Sequence, residues 1–478
     1  MANSPIEHVL FLLLENRSFD HMLGFLPREG HLAEFDGLTG KESNLLNSSD
    51  PGSQRIAVRK GAPYKVTTGR GPAHSFLAAN VQVCGDVNGP CTANPARNNG
   101  FVQSYLDELK AEDGIAEPTA DQIATVMECF TPEQMPAIST LAQNFHLCER
   151  WFSSVPGPTQ PNRLYAQAAT SAGWTYNYWA QPFDFRTIYN SLEDAGKSWC
   201  VYYSNDNEAL RFTQLKKDHA RFRHFENRFV SDVQSGNLPN YSYIIPRFMG
   251  TDVVAANSEH PPLDVRYGEQ LLATIYNALA ANEKLFAKTL FIVTYDEHGG
   301  FYDHVVPPSN VPNPDGLSSP LPGQGSEAPS FDFTRLGVRV PAILVSPRVM
   351  PTLDSTVYDH TSTLATLKKL WGLPSFLTER DANANSFEQL IMGDLPLRND
   401  LPEKLPVPPL PNVAEVTKAS QVALDDIQRS LISGSHTLHP DPAKHDPSAT
   451  HGIKTQADAA EYMDRMIKLH LDHHDARK

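Results

Sequence analysis

The stretch FIVTYDEHGGFYDH, residues 291 to 304, most constrains how this chain can fold. Phe291 to Thr294 is a short apolar run rich in strand-favouring residues. With a Gly pair close behind it, the run reads as a buried strand. Asp296, Glu297 and His298 follow at its end, then Gly299 and Gly300, then Asp303 and His304. Ionisable groups just beyond the carboxyl end of a strand stand where α/β folds place their chemistry. Adjacent carboxylates repel unless a proton or cation neutralises them. Strand alternation would point the two to opposite faces, but a turn at the Gly pair lets both reach one metal. The competing reading is a solvated acidic turn, and the density of oxygen and imidazole donors weighs against it.

The same pattern recurs near the N-terminus. Val9 to Leu14 is a continuous apolar run that predicts an interior strand with both faces covered. Glu15 and Asn16 come next and offer oxygen ligands for a divalent ion. Their alternative roles are a helix cap and a turn residue. A third stretch, PGPTQPNR at 156 to 163, places Pro161 near a helix start, with good helix formers to Ser171 and a stop at Gly173. Thr159 then falls at or just before a helix N-terminus, where amide donors attract anions. A hydroxyl there can act as a nucleophile in phosphoryl transfer when a metal favours the alkoxide; otherwise it is an N-cap. His74 at a predicted helix start, His260 in a Pro-tethered loop and His360, just ahead of Thr361 and Ser362 in a predicted helix over 358–373, add imidazoles to the candidate set.

The 478 residues suffice for one large α/β domain and an appendage. A net charge of −15 speaks against non-specific nucleic-acid binding and against anionic membranes. With 38 Pro and 28 Gly, long ordered loops around a core are expected. One such loop, 306 to 330, is expected to be a lid or substrate wall, with Phe19, Phe301 and Tyr302 either joining that wall or packing in the core. Residues 209 to 230 read as a helix. Five cysteines, widely spread, form no disulfide framework. Cys84 and Cys91 bracket GDVNGP and could close a small loop or stay as thiols. The N-terminus has no basic segment and too short an apolar run for a signal peptide or membrane span, so a cytoplasmic location and no transmembrane segment are expected. At 396 a Pro-rich linker begins, followed by two amphipathic helices. This divides the chain into a catalytic domain, 1–395, and an extension, 396–478. The apolar faces of the extension suit docking on the core or pairing in a homodimer.

Taken in order, ENRSFDH at 15 to 21, PGPTQPNR, EHPP at 259 to 262, TYDEHGGFYDHV at 294 to 305, DHTS at 359 to 362 and TERDANA at 378 to 384 form a specific set. The set resembles the bacterial and plant phosphoesterase family of phosphatidylcholine-preferring (non-specific) phospholipase C and AcpA-type acid phosphatases, a branch of the alkaline-phosphatase superfamily. The resemblance spans roughly residues 5 to 392. It implies an α/β fold: an alkaline-phosphatase-like core with a mostly parallel sheet flanked by helices. It also implies one divalent metal ion held by Glu15, Asn16, Asp296, Glu297 and Thr159, with Thr159 as nucleophile. Asn162 would hold phosphoryl oxygens, His260 would stand near the leaving group, and His74, His304 and His360 would complete the site. Where the family usually carries Asp, this chain has Glu149. Oxygen ligation favours Ca²⁺, Mg²⁺ or Mn²⁺; Zn²⁺ and iron remain compatible. The implied substrate is a phospholipid, reached by transient contact with a membrane surface, or a small phosphate ester. The residues around Thr159 do not match a sulfatase nucleophile motif.

Overall fold

The computed structural model describes residues 4–476 except 69–70, 87–96, 112, 179–181, 321–329, 394–395 and 422. Cys91 and much of the expected lid therefore lie outside the described residues. Eight strands form the main sheet: β1 His8–Leu14, β2 His146–Cys148, β3 Trp199–Tyr203, β4 Phe222–His224, β5 Tyr241–Ile244, β6 Thr289–Tyr295, β7 Ala342–Val345 and β8 Leu353–Asp354. Their spatial order is β8-β2-β7-β6-β1-β5-β3-β4. From β6 to β4 every neighbouring pair is parallel, and β7 runs antiparallel to both β6 and β2. The sheet is thus mostly parallel and flanked by helices, as the sequence predicts.

β1 and β6 are the central pair, in register from His8 opposite Thr289 to Leu14 opposite Tyr295. Both are apolar on both faces because helices cover the sheet on either side, and all of β6 is buried. That register brings Glu15 and Asp296, the next residue on each strand, side by side at the carboxyl ends of the central pair. Two further helices matter for the site: α1, Thr159–Ala168, and α2, Thr361–Trp371.

Residues 209 to 230 are not one helix. They form a short 3₁₀ turn at Glu208–Arg211, strand β4, and the start of a helix over Phe225–Ser235. The aromatic and basic side chains there satisfy the pleated edge of the sheet as well as a helix face, and tertiary pairing decided between them. Phe19, Phe301 and Tyr302 are core residues, at most 6% exposed. Phe301 stacks on His21 at 3.9 Å, and Tyr302 meets Phe101 edge-on at 5.5 Å. The extension packs on the rest of the chain: Leu424, Ile427, Leu431, Met463 and Ile467 belong to the same apolar cluster as the central strands. Gln428 donates to the Phe248 carbonyl at 2.8 Å, and Gly250 donates to Gln456 at 3.0 Å.

Candidate active site

The carboxyl ends of β1 and β6 and the start of α1 converge. Glu15, Asn16, Thr159, Asp296 and Glu297 are all fully buried. The Thr159 hydroxyl donates to Glu15 Oε2 at 3.3 Å. The Asn16 amide donates to Asp296 Oδ1 at 3.1 Å, as does the Glu297 amide at 2.7 Å. Burial and the neighbouring charges of Asp296 and Glu297 push the Glu15 carboxyl well above its ordinary range, against the pull of Arg163.

The turns that make this possible have identifiable causes. Asn16 adopts φ +56°, a left-handed conformation that Asn tolerates better than most residues. Gly299, at φ +63°, lies so close to Asn16 that a Cβ would stand 2.1 Å from the Asn16 carbonyl oxygen. A Cβ on Gly300 would stand 2.5 Å from the Ala73 carbonyl oxygen. The Gly pair therefore lets the β6 turn press against both the β1 turn and the loop that carries His74.

The imidazoles orient rather than crowd the centre. His74 Nε2 pairs with the Asn16 side-chain nitrogen at 3.2 Å, while its Nδ1 faces the Pro72 carbonyl at 3.1 Å. The tautomer consistent with both has Nδ1–H donating to Pro72 and Nε2 accepting from Asn16. This turns Asn16 Oδ1 inward, where it has no hydrogen-bond partner. His360 Nε2 bonds the Asp296 carbonyl at 2.7 Å, and its Nδ1 accepts from Trp151 at 3.3 Å. Burial holds its pKa below the usual imidazole value. His260 is buried, 5.6 Å ring to ring from His74, with Nδ1 2.5 Å from the Pro261 carbonyl and 3.8 Å from Asp425 in the extension. Arg17 fixes that loop by donating twice to the Glu259 carbonyl, at 3.0 and 2.7 Å.

Two expected site residues also carry structural hydrogen bonds. Asn162 accepts from the Val155 amide at 2.9 Å and donates to the carbonyls of Val155, Gly157 and Pro158 at 3.1 Å each. Its amide shapes the loop that presents Thr159. His304 bonds Asp20 at 2.7 Å through Nδ1 and Asp36 at 3.1 Å through Nε2. Burial alone would lower its pKa, but the hydrogen bond and charge of Asp20, with Asp303, raise it to about 9. Asp20, Asp303 and His304 bring ligand atoms within 4.8 Å of one another and could hold a metal. Arg339 already meets this group, at 2.8 Å from Asp20 and 3.1 Å from Asp303. Glu149 is structural: it accepts from the Asp36 amide at 2.8 Å and the Ser355 hydroxyl at 2.5 Å.

The residue that the motif contained without revealing its role is Arg163. It lies one helical turn beyond Thr159, so both share a face of α1. Its Nε donates to Glu15 at 2.7 Å and lies 3.4 Å from Asp296 Oδ2, while NH2 donates to the Leu13 carbonyl at 2.8 Å. NH1 reaches Tyr243 at 3.3 Å and Glu208 at 3.5 Å. The i, i+4 spacing from Thr159 was the available signal; Glu208 left none.

Asn16 and Asp296 leave buried oxygens of the kind that a hard divalent cation takes. The Arg163 guanidinium lies between the buried carboxylates of Glu15 and Asp296, and neither Asn16 Oδ1 nor Asp296 Oδ2 has a hydrogen bond. Unmet oxygens at such density are costly unless a cation or water takes them.

The phosphoesterase family model matches residues 6–374. Non-specific phospholipase C1 of Arabidopsis thaliana is 39% identical over 482 residues, covering 96% of this chain and 85% of that protein. Non-specific phospholipase C3 of the same plant is 38% identical, covering 92% and 84%. Phospholipase C B of Mycobacterium tuberculosis (strain ATCC 25618 / H37Rv) is 29% identical, covering 82% and 77%.

Proposed function

The chain belongs to the phosphoesterase family and is a hydrolase of phosphodiester type, and from that premise we propose a metal-dependent phospholipase C that cleaves phosphatidylcholine and related diesters to diacylglycerol and a phosphorylated head group. The observation that carries the reading is the buried Thr159 hydroxyl, set at the first turn of α1 and 3.3 Å from a carboxylate among hard oxygen donors.

Thr159 Oγ1 forms the bond to phosphorus as the bond to the diacylglycerol oxygen breaks, leaving a phosphothreonine that still carries the head group. Glu15, which accepts the hydroxyl's hydrogen bond, lies where the proton departs. His260 supplies a proton to the leaving oxygen, a role worth roughly 10²- to 10⁴-fold in rate. Water then breaks the bond between Thr159 Oγ1 and phosphorus, which restores the hydroxyl and releases the phosphorylated head group. The amides opening α1 face the charge that grows on the phosphoryl oxygens. Arg163 holds Glu15 and Asp296 in place, and His74 and Asn162 orient Asn16 and the Thr159 loop. A divalent cation bound by Glu15, Asn16, Asp296, Glu297 and Thr159 would supply Lewis acidity for the hydroxyl and neutralise the carboxylates.

No helix among the described residues is long and apolar enough to cross a membrane. Cys84 is disulfide-bonded, which suits an oxidising compartment better than the cytoplasm expected from the N-terminus. The second reading, an acid phosphatase on small monoesters, uses the same nucleophile. Turnover of phosphatidylcholine and p-nitrophenyl phosphate with added Ca²⁺, Mg²⁺ or Mn²⁺ separates the two. Thr159→Ala is expected to abolish diester cleavage; activity that survives in it refutes the mechanism.

A further inference from the structure

Beside the nucleophile stands a group of rings that the chemistry does not use. Trp174, Tyr176 and Tyr178 form a surface cluster, with centroids 5.0 Å apart for Trp174–Tyr176, 5.1 Å for Trp174–Tyr178 and 6.4 Å for Tyr176–Tyr178. Tyr176 is 43% exposed and Tyr178 39%, whereas most aromatic rings in this chain are buried. Exposed neighbouring rings in one segment are not explained by core packing.

The segment is tied to the site. The Gln160 amide, next to Thr159, donates to Asn177 Oδ1 at 2.8 Å, and the Tyr178 amide donates to Gln160 Oε1. Ser171 donates to the Trp174 carbonyl at 2.7 Å. The Thr175 carbonyl lies 3.5 Å from where a Cβ on Gly157 would stand, and the Phe76 backbone lies 3.6 Å from that same point. Thr175 also meets Ser319 hydroxyl to hydroxyl at 3.1 Å. Two further exposed apolar residues neighbour these contacts in sequence: Leu77, next to Phe76 and 41% exposed, and Leu317, two residues before Ser319 and 40% exposed. The rings therefore belong to the border of the Thr159 loop, on a segment whose contacts lie next in sequence to two exposed aliphatic residues.

We infer that Trp174, Tyr176 and Tyr178, with Leu77 and Leu317, form the surface through which the enzyme seats on a zwitterionic phospholipid interface beside Thr159. This rests on the phospholipase reading above. Trp and Tyr suit such a boundary because each has an apolar body and a polar tip. Charge selects the kind of lipid. Residues 170 to 178, TSAGWTYNY, carry no charged side chain, and the chain as a whole carries −15. Such a face gains nothing from anionic head groups, and the rest of the protein is repelled by them. Phosphatidylcholine vesicles imposes no such penalty, and the anchoring to Gln160 sets the nucleophile at a constant offset from the interface.

The test uses the full chain and its Tyr176→Ser/Tyr178→Ser variant, with Tyr176→Ser alone as the second variant should the double one fail to fold by thermal melting. Co-sedimentation with phosphatidylcholine vesicles gives binding. Turnover is compared between vesicular phosphatidylcholine and a short-chain phosphatidylcholine kept below its aggregation threshold. The expected result is vesicle binding by the parent protein, weakened at least about tenfold in the variant, with the vesicle-to-monomer turnover ratio falling by a similar factor. Equal vesicle binding by parent and variant overturns the inference, as does a parent protein that cleaves the monomer yet ignores vesicles. A parent dimer that the variant loses also overturns it, assigning the rings to a second copy. If the parent cleaves neither form, the phospholipase reading fails, and vesicle binding lost in the variant still upholds the surface.

Discussion

Arg163 reaches Glu15, Asp296 and Glu208, three carboxylates with at most 5% side-chain exposure. Removing the cation from such a group leaves uncompensated buried charge, which typically costs about 3–5 kcal/mol. Arg163→Met is expected to lose that much stability at pH 7, read as a lower denaturant midpoint. His74 acts one step further out, through Asn16. His74→Ala is expected to weaken divalent-ion affinity roughly 10- to 100-fold in calorimetric titration, the range for partners that orient a ligand. His304 carries a different consequence. Its folded pKa of about 9 exceeds the ordinary 6.5, so folding favours its protonated form. The resulting stabilisation is complete below about pH 6.5 and fades as pH rises through about 9. Urea titrations across that window should show the loss, and His304→Gln should flatten it.

At the scale of elements, two turns must interlock for the strand ends to share one site. Gly299 permits this twice over, through its positive φ and its lack of a Cβ against Asn16. Gly299→Ala is expected to cost about 2–4 kcal/mol, since a strained conformation and a backbone clash add. The measurement is the shift in thermal midpoint relative to Gly61→Ala. Gly61 also has a positive φ, but nothing lies within 4 Å of its missing Cβ, so it isolates the conformational part. Helix α1 is a second such device. Asn162 holds the three preceding carbonyls while Arg163 crosses to β1, so one turn of helix both shapes the nucleophile loop and ties it to the ligand strand.

At the scale of the molecule, the extension shares one apolar cluster with the central strands rather than forming a core of its own. Calorimetry is expected to show a single cooperative transition, and deletion of 396–478 should lower its midpoint because it strips cover from buried apolar surface. Two resolved transitions would show that the extension folds independently. Chelation with EDTA should lower the midpoint of the intact chain as well, because an ion bound only by the folded state stabilises it by mass action.

The sequence by itself determined the parts whose signals are local. The apolar runs before Glu15 and Asp296, the Gly pair and the helix start at Thr159 each follow from backbone and hydration physics acting within a few residues. Their assembly at the carboxyl ends of the central pair was legible because parallel strands of an α/β sheet end on the same side. Tertiary structure decided the rest. Whether residues 209 to 230 pair as a strand or coil as a helix depended on a free edge beside β3. His304 carries site-like chemistry, yet its partners, Asp20 and Asp36, lie far away in sequence and meet it only in the folded chain. Arg163 and Glu208 lie 45 residues apart and meet only because the turn after β3 is brought to α1 in the folded chain. Exposure, too, belongs to the folded surface: Phe301 and Tyr176 are both aromatic, and only packing buried one and left the other facing water.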